Sequence, residues 1–223
     1  MDWLTWQQGA AIAASSATAS FGVQRLAISS AQESPVSTKV QLNFIAATKE
    51  IAFVASLYTL WRLARVLPLD QSIGAIDRAR SLENFQREIF LPSELSLQKF
   101  VLEHEWLAEL SNAYYAIAHV PVLLLFLVWL FAFYRSAYPQ WRNGLALLTA
   151  MCLLLRFIRV APPRFFPELG YIDLSTRYGM SIYGPVGKGV SDQFAAMPSI
   201  HVGWATVVSL GVVAASTSKW RWL

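Results

Sequence analysis

Residues 113–134 read AYYAIAHVPVLLLFLVWLFAFY, without an Asp, Glu, Lys or Arg. A bilayer core about 30 Å thick is crossed by about 20 apolar helical residues, so this stretch reads as a transmembrane helix. Tyr114, Tyr115, Trp129 and Tyr134 are placed like the aromatic belts of membrane interfaces. Pro121 is tolerable in such a helix and can kink it. The stretch sets the fold class: an all-α, polytopic membrane helix bundle.

Working outward, residues 145–155 form the apolar heart of a second span, extending over about 141–160. A third, shorter span covers residues 200–215 and is richer in small side chains. Residues 42–66 make a fourth, with Lys49 and Glu50 pairing elsewhere or lying near an end. The expectation is about four spans plus interfacial helices. Composition agrees: 55% of residues are hydrophobic and only 14% charged, where a soluble domain carries roughly 25% charged residues. Aromatics at 13% argue against a disordered chain. The net charge of +4 is dispersed; it suits anionic lipid and gives no clustered nucleic-acid patch. Cys152 is the only cysteine, so no intrachain disulfide forms, and it reads as a small buried hydrophobe.

Residues 10–23 are mostly Ala and Ser and lack the basic start and apolar centre of a signal peptide. They read as a small-residue helix packing on others, or as a mobile leader. Residues 32–38, with Ser34-Pro35, read as a linker. The domain division expected is therefore a leader and linker over residues 1–40 and a membrane domain over 41–223. Within the latter, residues 69–112 set Ile73, Ile76, Leu82, Phe85, Ile89 and Phe90 among charges at spacings of three and four. That predicts an amphipathic helix, lying along the interface or packing under the bundle. Leu91-Pro92-Ser93 breaks it, and Ser93 with Glu94 starts another helix.

The chemistry-bearing part spans residues 156–203. Arg156, Arg159 and Arg164 surround Ala161-Pro162-Pro163. An arginine at a helix end snorkels to headgroups or grips phosphate through its planar fork. A Gly- and Pro-rich connection follows, with Phe165, Phe166, Tyr171, Tyr178 and Tyr183. Those aromatics suit a loop folded over a site better than a solvated linker. The connection ends in Met197-Pro198-Ser199-Ile200-His201-Val202-Gly203, where an apolar helix begins. Pro198 and Ser199 are helix-start residues, and a helix N-terminus favours an anion. His201 falls in the first turn, where an imidazole can protonate a leaving alcohol. Consecutive spans joined by one connection put Arg164 and His201 at one membrane face.

Ala161-Pro162-Pro163-Arg164 and Met197 through Gly203 resemble the type 2 phosphatidic acid phosphatase superfamily. The resemblance covers roughly residues 70–215. It is closest to the branch of the fungal inositol phosphorylceramide synthases and their actinobacterial relatives. Ile200 stands where the usual Pro-Ser-Gly-His motif has its Gly, which suits that branch. Asn112-Ala113-Tyr114-Tyr115 and His119 also look like it. The resemblance implies phosphoester transfer or hydrolysis on a lipid phosphate through a phosphohistidine, with no metal or other cofactor. It implies His201 as proton donor and Ser199, Arg164 and, in weaker register, Arg156 as phosphate ligands. Membrane lipids and a phosphorylated lipid substrate are the implied partners, with the site facing periplasm or organelle lumen. In that superfamily a third motif, His-x3-Asp, supplies the nucleophile. Here His104, His119 and His201 are followed at the fourth position by Ala108, Leu123 and Ala205, and His119 reads as a packed histidine. The expectation is a fragment, a chain completed by a second membrane polypeptide, or a degenerate, non-catalytic subunit.

Overall fold

The computed structural model describes residues 4–29, 35–66, 73–177 and 194–222. The chain divides into two compact units, Met1–Leu67 and Pro68–Leu223.

In the first unit, helix α1 (Trp6–Ser29) pairs with helix α2 (Pro35–Val66). A Cβ on Gly9 would stand 2.7 Å from Thr59 Oγ1, and buried Ser20 donates to the Ile45 carbonyl at 3.5 Å. The contact on α2 recedes as position on α1 advances, so the two helices run antiparallel. Small residues are what allow this approach: Gly, Ala and Ser bring helix backbones close where larger side chains would hold them apart. Helix α2 starts at Pro35, so the second half of the expected linker is helical. Proline suits the first helical position because its missing N–H would have no intrahelical partner there. Within α2, Lys39–Ala64 is the one stretch among the described residues long and apolar enough to cross a membrane by length and composition.

In the second unit the order is α3 (Ala75–Glu88), α4 (Glu94–Leu102), α5 (Glu105–Ala113), a π-helical turn (Tyr114–Ala118), α6 (His119–Phe133), α7 (Tyr138–Leu155), the four-residue α8 (Leu174–Arg177) and α9 (Ile200–Ala215). The apolar stretch opening the sequence reading is thus not one uniform α-helix; a π turn separates α5 from α6. Ser93 caps α4, its side chain accepting from the Ser96 N–H at 3.4 Å. Among the described residues α6 and α9 are apolar but shorter than a full span, so length and apolarity single out only α2 where four spans were expected.

Phe126, Leu127, Leu130, Tyr138 and Leu145 form the core of the second unit, with Trp141, Trp204 and Val208 packed around them. This joins α6, α7 and α9. Two glycines set the depth of α9: a Cβ on Gly203 would lie 2.8 Å from Leu148 Cδ2, and one on Gly211 would enter the Phe126 ring. Trp204 Nε1 donates to Thr149 Oγ1 at 2.9 Å, and that hydroxyl donates to the Leu145 carbonyl at 2.7 Å. The far sides of the same helices stay apolar and uncovered, at Leu125, Val128, Phe133, Leu147, Leu154 and Leu210. Cys152 is half-buried.

A smaller cluster of Ala75, Ala161 and Phe166 seats the start of α3 beneath the Ala-Pro-Pro-Arg stretch. The Ala161 N–H donates to the Ala75 carbonyl at 3.1 Å. Arg78 Nε donates to the Arg159 carbonyl at 2.6 Å, and its Nη2 to the Ile73 carbonyl at 3.0 Å. The amphipathic helix is therefore packed at its beginning, while Phe85 and Ile89 near its end are exposed.

Candidate functional site

The two stretches singled out in the sequence meet through main-chain hydrogen bonds. Val160, just past α7, forms a parallel bridge with Ala195. The Val160 N–H donates to the Phe194 carbonyl at 2.8 Å, and the Ala196 N–H donates to the Val160 carbonyl at 3.3 Å. The connection that leaves α7 thus returns beside its own origin before α9 begins. Ala161 to Arg164 follow one side of this bridge and Met197 to His201 the other. Tyr178 and Tyr183 lie outside the described residues.

Ser199 is the N-cap of α9, with extended backbone and its hydroxyl accepting from the Val202 N–H at 3.4 Å. The remaining first-turn N–H groups and the helix dipole make this end favourable for an anion. His201 stands in the first turn, walled by aromatic rings. Its ring centroid lies 4.5 Å from that of Tyr115 and 4.7 Å, edge-on, from that of His119. Trp204 lies 6.4 Å from His201 and 6.2 Å from His119.

Arg156 and Arg159 are each only 7% exposed. Guanidinium groups are seldom buried this far, because desolvating a fixed charge costs several kcal/mol without compensating partners. Arg164 sits in a short turn over Pro163–Phe165. It faces Asp173 Oδ2 at 3.9 Å and lies over the Phe165 ring. The backbone carrying Asp173 is pinned from α4: Gln98 Nε2 donates to the Gly170 carbonyl at 3.1 Å, and the Ile172 N–H donates to Gln98 Oε1 at 3.0 Å. Gly170 is the residue that can supply the left-handed turn required here, φ 92°. Between these points burial, and then the carboxylates of Glu83 and Glu94, push the Tyr171 phenol above its ordinary value, with Arg87 opposing.

Sequence reasoning set His119 aside as a packed histidine and did not name Tyr115 or Trp204 as site residues. The structure places all three against His201. A signal existed: Tyr115 and His119 are four residues apart, on one helix face. His104 lies elsewhere, at the N-cap position of α5, its ring tilted against that of Phe100 with centroids 5.0 Å apart. Among the described residues no group of His, Cys, Asp and Glu is arranged to hold a metal ion.

The Val160–Ala195 bridge sets the stretch from Arg156 to Arg164 beside the stretch that opens α9 with Ser199 and His201. The family model of the PAP2 superfamily matches residues 80–223, more than half of the chain; the chain belongs to the PAP2 superfamily. The family's members are generally membrane proteins, and their chemistry is that of phosphatases and phosphotransferases acting on lipid-like phosphoesters. No curated protein and no solved structure matches the chain.

Proposed function

We propose that the chain forms part of a multi-pass membrane phosphotransferase that moves a phospho-headgroup from a lipid to an alcohol. In this reading α2, α6, α7 and α9 each cross the bilayer, and the site opens at one face, toward periplasm or organelle lumen. The uncovered apolar sides of those helices support it, since contiguous apolar surface on this scale marks a membrane or protein contact. Arg164, Arg156 and the α9 N-terminus at Ser199 hold the phosphate oxygens. His201 donates its proton to the leaving lipid alkoxide as the P–O bond breaks. In the return half, His201 takes the proton of the acceptor alcohol as that oxygen bonds to phosphorus. The covalent step, by resemblance a phosphohistidine, falls to a nucleophile other than these groups. The observation that carries the reading is the Val160–Ala195 bridge, which brings the stretch bearing Arg164 and the stretch bearing His201 to one place.

The test is anion binding by the full chain in detergent micelles, using inorganic phosphate and vanadate followed by calorimetry. Binding that weakens in both Arg164→Ala and Ser199→Ala supports the reading. Binding indifferent to both substitutions overturns it. In membranes, transfer of the headgroup from a short-chain lipid to an added alcohol, lost in His201→Ala, separates transfer from hydrolysis, in which water is the acceptor.

A further inference from the structure

His119 enters a helix whose next residues are Val120, Pro121, Val122 and Leu123. An ionisable ring in such a segment is costly unless it has a partner and a task. Its Nδ1 is buried without a well-formed hydrogen bond among the described residues, the ring facing the Tyr115 carbonyl one turn back, and a buried polar atom so weakly served calls for an explanation. The π turn Tyr114–Ala118 directly precedes it, and such turns inside helices occur frequently at functional sites. By widening the helix just before His119 it sets the direction in which that ring leaves the backbone.

Two tasks are open to an imidazole beside a proton donor: attack on phosphorus, or orientation of the donor. Geometry decides between them. In-line displacement places phosphorus between the nucleophile and the leaving oxygen, and the acid beyond that oxygen. Two rings with centroids 4.7 Å apart, one edge toward the face of the other, leave no room for a phosphoryl group and a leaving oxygen between them. The geometry points to His119 as a positioning residue for His201, fixing the plane and tautomer of the proton donor from across the α6–α9 contact. The inference rests on the reading of His201 as that donor. Tyr115 and Trp204 complete the wall, and Trp204 is itself held by Thr149. Trp204 has a single N–H, already given to Thr149, whereas the two ring nitrogens of His119 can donate or accept toward His201, as the Tyr115 hydroxyl also can.

The chain has three histidines, so ¹⁵N-histidine NMR of the full chain in micelles is assignable with one variant per ring. In the wild type, His201 should show one dominant tautomer and should shift on adding inorganic phosphate. In His119→Phe, which keeps a ring of similar size, its two nitrogens should move toward averaged positions. His119→Gln, which retains a donor and an acceptor, should restore the wild-type pattern at least in part, and serves as the second variant where Phe disturbs folding. His201 resonances unchanged in both variants, in a protein that still shifts with phosphate, overturn the positioning role alone. No phosphate shift at His201 in the wild type overturns the underlying reading instead.

Discussion

Arg78 Nε donates to the main-chain carbonyl of Arg159 at 2.6 Å, across 81 positions of sequence. The same guanidinium reaches the Ile73 carbonyl. One side chain of α3 therefore ties the segment before its own helix to the peptide that follows the buried Arg159. A lysine, with a single point charge on a flexible stem, does not reproduce this forked contact.

Replacing Arg78 by Ala should lower stability by about 1.5–3 kcal/mol, the range for a hydrogen bond with one charged partner. Arg78→Lys should recover only part of this. Thermal unfolding in micelles measures both, and equal stabilities for wild type and Arg78→Ala would show that the contact contributes nothing.

Arg164 and Asp173 give a prediction with opposite signs. Arg164→Ala should weaken phosphate binding by roughly tenfold or more, since a charge-assisted contact contributes about 1.5–3 kcal/mol and 1.4 kcal/mol is a factor of ten. Asp173→Asn should tighten binding, because the carboxylate competes with phosphate for the same guanidinium. Weaker binding in Asp173→Asn would assign the carboxylate to holding Arg164 in place.

Gly211 and Gly144 separate packing from helix propensity. A methyl group at Gly211 would enter the Phe126 ring and come within 3.2 Å of Trp141, so Gly211→Ala should destabilise by about 1–3 kcal/mol. A methyl group at Gly144 would meet nothing within 4 Å. Gly144→Ala should be neutral or stabilising by up to about 1 kcal/mol, through the better helix propensity of alanine. The pair is read from melting midpoints under one detergent condition.

Tyr171 predicts an alkaline limit. Its phenol is raised in the folded chain by burial and by Glu83 and Glu94, so the folded state holds that proton more tightly than the unfolded one. The resulting stability is fully present below the ordinary tyrosine value of about 10 and is lost as pH rises through the higher folded value. Tyr171→Phe should show a shallower loss of melting temperature over that alkaline window. Identical alkaline profiles would exclude this coupling.

Local signals were the legible ones. Ser93 and Ser199 read as helix starts, and both cap helices through their own hydroxyls, because a cap is decided within four residues. Residues 200–215 read as an apolar helix and are α9. Pro35 was misread as part of a linker, since proline both interrupts helices and opens them. His119 was the larger omission. Its spacing from Tyr115 gave a helix face, but what that face meets is fixed by α9, reached from His119 through a turn, another helix and a long connection. The π turn has no periodic signature that an apolar run would reveal. The seat of α3 beneath Ala161 depends likewise on a contact between segments remote in sequence.

The Val160–Ala195 bridge separates two design problems that one connection would otherwise couple. Its hydrogen bonds bring the ends of the intervening segment together. The entropy of closing a segment rises only logarithmically with its length, by about 0.6 kcal/mol per doubling. Residues after Asp173 and before the bridge partner Ala195 can therefore be lengthened, shortened or exchanged at small thermodynamic cost while Arg164 keeps Asp173 and the pinned turn at Gly170. Under the proposed function, variation confined to that part of the segment is the route by which such a scaffold would change the alcohol it serves while keeping Arg164 and His201.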